Sequence, residues 1–231
     1  MSEEAVLLLG VADSSSPPVF STTPHIRLAC EDWMALALPV VLDPKEDDET
    51  RMTRWALSQG EVLCRQVRTS DVVPVRLGAV FSSSEALRAH VCATQEELRV
   101  VANEFSGRVE FAVQVFAEAS AARESEDPAR ECGRAFLDRR RRARDQRSRA
   151  VSDRRGFLSE LGGVLAPLVQ GLTEKEVRGP AALADWAVLL SRDSVEAMLS
   201  TLEALDCRAK EHGLWLRVTG PWPPFTFIGR F

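Results

Sequence analysis

Apolar positions recur along this chain with two different periods, and the switches between them mark its elements. Residues 5–11, Ala-Val-Leu-Leu-Leu-Gly-Val, form an unbroken apolar block between Glu3-Glu4 and the loop Ser14-Ser15-Ser16-Pro17-Pro18, which predicts a buried strand. Two more apolar runs, residues 25–30 and 34–42, lead to an acidic turn at 43–49. Negative charge suits the positive end of a helix dipole, and the helix predicted next repeats Met52, Trp55, Ala56, Gln59, Leu63 and Val67 every 3.6 positions. Residues 71–81 read as an apolar run interrupted by Pro74 and Gly78. Capping boxes at Ser82/Glu85 and Thr94/Glu97 then predict two short helices, which share the stripe Leu87, Val91, Thr94, Leu98, Val101 and Phe105.

Past Ser106-Gly107 the period returns to two. Val109, Phe111, Val113 and Val115 alternate with Arg108, Glu110, Ala112 and Gln114, the clearest strand in the sequence. A long helix is predicted from about Pro128, with Cys132, Phe136, Ala143, Ala150 and Phe157 as a narrow apolar line. Pro167 breaks the apolar stretch 158–172, and two strands are predicted at 175–178 and 184–190, either side of Gly179-Pro180. Asp193 and Glu196 frame a helix with Val195, Met198, Leu199, Leu202, Leu205 and Ala209 inward, ended by Gly213. Leu214, Leu216 and Val218 share one face of a last strand, which the prolines of Gly220-Pro221-Trp222-Pro223-Pro224-Phe225-Thr226-Phe227 are expected to stop. Strand, helix, two strands, helix, strand is the order of a split βαβ sandwich. The expected fold is therefore α+β in two domains: an N-terminal α+β domain over 1–106 and a modified ferredoxin-like domain over 107–231, with an arginine-rich helix and a proline/aromatic tail.

Composition adds mainly exclusions. The 231 residues are 45% hydrophobic and 27% charged, as in a soluble globule, and the net charge of −5 disfavours polyanionic partners. Five scattered cysteines and three scattered histidines show no disulfide framework and no metal spacing, so reduced thiols, a cytoplasmic location and no cofactor are expected. The apolar block at 5–11 is too short, and preceded by the wrong charge, for a signal or membrane span. Phosphate loops, a nucleophile elbow and a zinc-binding helix are absent and tyrosine does not occur, so catalysis is not expected.

Four residues stand out as partner-binding candidates. Arg76 is a charge inside an apolar run, where an arginine more often pairs with a carboxylate than with a partner. Trp222, Phe225 and Phe227, with Ile228 and Phe231, crowd the stiff tail; such aromatics either pack on their own sheet, the commoner outcome, or meet an apolar partner. A different class of function rests on Arg139, Arg140, Arg141, Arg142, Arg144, Arg147, Arg149, Arg154 and Arg155: an RNA-binding ferredoxin-like module. No aromatic residue lies among them to stack a base, which favours a solvated helix and no nucleic acid.

The tail octapeptide resembles the Gly-Pro-Trp-Pro-Pro-aromatic signature of the gas vesicle protein F/L family. Pro74-Val75-Arg76-Leu77-Gly78-Ala79-Val80-Phe81 resembles that family's Pro-x-Arg-Phe-Gly-Thr-Val-Phe motif, departing at Leu77 and Ala79. Leu9-Gly10-Val11, Gly107-Arg108-Val109-Glu110 and residues 133–137 match in the expected order, while Phe225 stands where tyrosine is usual. The resemblance implies two α+β domains, the second modified ferredoxin-like, and a non-catalytic role in gas vesicle assembly. It further implies binding to the hydrophobic shell protein and other accessory proteins, limiting shell aggregation, assisting nucleation, and presence as a minor vesicle component.

Overall fold

The computed structural model describes residues 3–118, 133–179 and 181–228. Helices and strands are mixed, with two antiparallel sheets, so the α+β class holds. The chain divides into two compact units, Met1–Phe111 with Leu189–Arg192 and Thr219–Phe231, and Ala112–Val188 with Asp193–Val218.

The first unit is built on β1 (Glu3–Asp13), flanked in the sheet by β3 (Trp33–Leu42) and β4 (Val72–Pro74), with β2 (Ile26–Cys30) beyond β3 and β5 (Val80–Phe81) also pairing β1. Residues 5–12 are buried throughout, which is why this strand reads as a continuous apolar block: both sheet faces are covered. A register shift between Leu8 and Gly10 lets Val6, Leu8 and Val11 join one core with Leu87, Val91 and Leu98. Those three come from α2 (Ser84–Ala93) and α3 (Gln95–Phe105). At Gly10 a Cβ would lie 2.9 Å from the Val73 carbonyl oxygen and 3.0 Å from Leu63, so only glycine admits this approach of β4 and α1 (Asp48–Gln66).

Helix α1 starts where the acidic turn predicts, with Asp47 accepting a 2.9 Å hydrogen bond from the Thr50 amide. Its buried residues are Trp55, Gln59, Val62, Leu63 and Gln66, so the face is turned from the expected one and Met52 and Ala56 are exposed. The Gln59 amide nitrogen donates to the Leu9 and Val75 carbonyls at 2.8 and 2.9 Å, which offsets its burial. None of the three expected capping boxes forms as read: Ser83, not Ser82, caps α2, Thr94 turns its hydroxyl back to the His90 carbonyl instead of capping α3, and the helix expected from Asp193 starts after Ser194 with no side-chain cap.

The second sheet has the order β7-β8-β6-β9, from β6 (Arg108–Ala117), β7 (Gly171–Glu174), β8 (Ala182–Ser191) and β9 (Leu214–Trp222). Two helices, α4 (Gly133–Leu165) and α5 (Val195–Glu211), complete the alternation of strand, helix, two strands, helix, strand. The start predicted near Pro128 lies outside the described residues, as do Cys132 and Phe231. Burial of Phe157, Leu161 and Leu165 one turn apart carries α4 through Gly162 and Gly163, and it ends at Leu165, just before the break expected at Pro167. The strand expected at 175–178 is instead Gly171–Glu174, an edge strand with little apolar content. Met198, Leu202, Leu205 and Ala209 of α5 are buried as their spacing predicts.

Strand β9 does not stop at its first proline. It runs through the cis Gly220–Pro221 peptide to Trp222. The sheet order puts β9 at an edge, where a residue without an amide donor removes no obligatory ladder bond. Gly220, at φ 150°, has the Phe111 ring where its Cβ would be, at 2.6 Å. Gly220→Ala is accordingly expected to cost about 1–3 kcal/mol in urea unfolding, through strain against that ring. Gly60, in the interior of α1, meets nothing within 4 Å of an added Cβ, so Gly60→Ala is expected to raise stability by about 1 kcal/mol in the same measurement.

Candidate functional site

The proline/aromatic tail is placed by a buried carboxylate. Glu110 of β6 is only 4% exposed; its Oε2 accepts the Thr226 amide at 2.8 Å and its Oε1 accepts the Thr226 hydroxyl at 2.6 Å. Two hydrogen bonds from the tail offset the cost of taking this polar group out of water. The tail itself is folded back tightly: the Phe225 amide donates to Pro223 O at 2.6 Å, and the amides of Phe227 and Ile228 donate to Pro224 O at 3.1 and 2.9 Å. Pro223 and Pro224 are buried, and Ile228 packs against the core formed by Val6, Leu8, Leu87 and Leu98. Within the first unit the tail therefore closes the core, and its aromatics fare differently. Trp222 is half-buried, its indole N–H donating to Thr219 Oγ1 at 3.3 Å; Phe227 is half-buried; Phe225 is left exposed.

Trp222 also lines a groove of about 620 Å³ with Pro18, Val19, Phe20, Gly60, Cys64 and Arg68. Phe20 is 90% exposed, the most open large apolar side chain among the described residues. Its loop is nevertheless tied down. Glu61 of α1 accepts from Ser21 Oγ at 3.1 Å, the Thr22 amide at 2.9 Å, Thr22 Oγ1 at 2.5 Å, and the Thr23 hydroxyl. Gln66 Nε2 donates to the Pro17 carbonyl at 3.3 Å on the same loop. The hydroxyls of Thr22 and Thr23, foremost among these donors, hold the Glu61 carboxyl down to a pKa of about 2. Burial pushes the Cys64 thiol up to about 12, so it lines the groove as a small neutral side chain rather than a nucleophile.

Arg76 sits elsewhere in the first unit. It is exposed and lines a smaller cavity of about 250 Å³, whose walls are Leu8, Val11, Val75 and Ala79 on one side and His90, Val91, Glu97 and Leu98 on the other. Its expected carboxylate partner is not found within 4.0 Å among the described residues. Of the four candidates, then, Trp222, Phe225 and Phe227 are brought together by the tail, while Arg76 belongs to a different cavity. Phe20 and the Glu61 clasp were not singled out by sequence; the hydroxyl row Ser21-Thr22-Thr23 was their one signal.

In the second unit, the arginines of α4 are displayed on a helix whose described side chains at 137–142 are all exposed. Leu137 and Val151 are 65% and 66% exposed among them. Among the described residues no group of three or more His, Cys, Asp or Glu is placed to hold a metal, and no helix is long and apolar enough to cross a membrane.

Replacing Glu110 with Ala is expected to lower stability by about 1–3 kcal/mol, because the Thr226 amide loses its acceptor in a part-buried setting; urea unfolding measures this, and limited proteolysis should then cut within 221–228. The pH response of the Phe20 loop follows from Glu61. A carboxyl whose folded pKa lies below its ordinary 4.5 contributes stability that is complete above that value and fades as pH falls toward about 2. Amide exchange of Thr22 should thus stay protected at pH 5 and open only below about pH 4, whereas in Glu61→Gln it should lack that pH dependence.

The family of gas vesicle synthesis protein GvpL/GvpF matches residues 23–229 of the chain. Gas vesicle protein F2 of Halobacterium salinarum is 24% identical over 196 residues, covering 83% of this chain and 76% of that protein. Gas vesicle protein L of a Streptomyces species is 31% identical over 172 residues, covering 68% of this chain and 62% of that protein. The fold is similar to crystal structures of gas vesicle protein GvpF from Anabaena sp. PCC7120, with a TM-score of 0.70 at 16% identity over 99% of this chain and 98% of that one. GvpF from Microcystis aeruginosa gives 0.67 at 15% identity over 96% and 98%. With its family matched over nearly its whole length, this chain belongs to the GvpL/GvpF gas vesicle synthesis proteins.

Proposed function

We propose that this chain is a gas vesicle assembly factor: it binds the hydrophobic shell protein, limits its aggregation, assists nucleation of the vesicle wall, and stays as a minor component. The family match over residues 23–229 carries this reading. The surface chemistry is compatible with it. A carrier of an apolar subunit has to offer apolar contact while its own charge keeps it dispersed. Phe20, Leu57 and Phe225 are open to solvent on a chain of net charge −5. In this reading the protein acts in the cytoplasm as a binder rather than a catalyst, and other vesicle accessory proteins are its further partners. Trp222 and Phe225 are proposed as contacts at the tail, with Phe227 holding the turn behind them and Arg76 available to an acidic group.

Purified shell protein captured on the immobilised chain tests the contact. The Trp222→Ala, Phe225→Ala double variant is expected to keep its unfolding free energy in urea within about 2 kcal/mol of wild type and to lose most of the captured shell protein. Equal capture by a folded double variant would assign the tail to structure alone.

A further inference from the structure

We propose that the groove between the Phe20 loop and the outer face of α1 seats an amphipathic helix of a partner protein, one with an apolar stripe flanked by acidic side chains. This rests on the reading that the chain handles an apolar vesicle subunit, and it specifies the recognition element.

Three observations lead there. First, Phe20 combines 90% exposure with a loop fastened through Ser21, Thr22 and Thr23 to one carboxylate. A large apolar side chain fixed in water gains nothing within its own fold, but it is preorganised for a partner, since little conformational freedom is left to lose on binding. Second, the floor of the groove is the α1 face carrying Gly60 and Cys64, one turn apart. Gly60 weakens a helix by about 1 kcal/mol relative to alanine. No neighbour in the fold requires it, because a Cβ there meets nothing within 4 Å. What its absence does provide is room for another backbone to come close over two small residues. Third, the charged rim is cationic. Arg65 and Arg68 border the groove, while the one carboxylate there, Glu61, is occupied by the loop and by Arg65 at 3.6 Å.

These features choose the occupant. The face of an α-helix has its backbone donors and acceptors already paired, so an extended strand laid on it would find no ladder partners, whereas a helix brings its own hydrogen bonds satisfied. Arg68, with Arg65 already facing Glu61, selects acidic residues beside the apolar stripe. A volume of about 620 Å³ accommodates several apolar side chains rather than one.

Two probes are used against the full chain: purified shell protein, and a synthetic amphipathic peptide with leucines at i, i+3, i+4 and i+7 flanked either by glutamates or by lysines. The variants are Phe20→Ser, Gly60→Leu, whose Cβ meets nothing within 4 Å and whose side chain would occupy the groove, and Arg68→Glu, with Leu172→Ser as an exposed control elsewhere. Phe20→Ser and Gly60→Leu are each expected to weaken both probes at least tenfold, with Gly60→Leu losing no stability in urea. Arg68→Glu should weaken the glutamate-flanked peptide at low salt and much less at high salt, and Leu172→Ser should change nothing. Shell protein bound equally by wild type, Phe20→Ser and Gly60→Leu overturns the groove while leaving the assembly role standing. Shell protein that never binds wild type overturns the role; the groove then stands or falls on whether the glutamate-flanked peptide binds in preference to the lysine-flanked one. Self-association that Phe20→Ser abolishes, with no peptide bound, replaces the partner helix by a second copy of this chain.

Discussion

A carboxylate inside a hydrophobic layer is unfavourable unless its lone pairs are met, and Glu110 meets that condition with the Thr226 amide and hydroxyl. Much of the first unit follows from that pairing. The tail's return to β6 supplies two of the donors to this buried carboxyl group, and it lays Pro223, Pro224 and Ile228 over the core beside β1 and α2. Gly220 is drawn in the same direction, close enough to the Phe111 ring that no larger residue fits. The C-terminal octapeptide is thus first a closing element of its own unit, with Phe225 exposed and Trp222 and Phe227 half-buried.

The strands β1 and β6 were legible in the sequence because each has an unambiguous period: continuous apolar residues where both faces are covered, strict alternation where they differ. Helix α5 was legible for the same reason at a period of 3.6. The errors fall where local preference and burial disagree. Lys175 to Arg178 suggested a strand by its position next to Gly179, while the edge strand at Gly171–Glu174 has almost no apolar face to announce it. A row of three serines left the α2 cap ambiguous by one residue.

The candidate surface was only half legible. Aromatic crowding in the tail is a property of neighbouring letters and can be read directly. The groove is not: Phe20, Gly60 and Trp222 come from three separate stretches, and their meeting depends on how β9 ends and how the loop before β2 crosses α1. Glu61 shows the difficulty well. By pattern it is one more acidic residue on a solvated helix face, yet in the fold it gathers four donors from a single loop. Glu110 was equally unmarked as one polar position in an alternating strand, since alternation within β6 says nothing about a tail that arrives from the far end of the chain.

Pro221 lies in the border strand β9, and its place there bears on how that margin meets other chains. A bare sheet margin is a template on which foreign chains can add, hydrogen bond by hydrogen bond, and a ring nitrogen without hydrogen interrupts that template. Along β9, side chains rather than main chain are therefore left to govern what can join that margin.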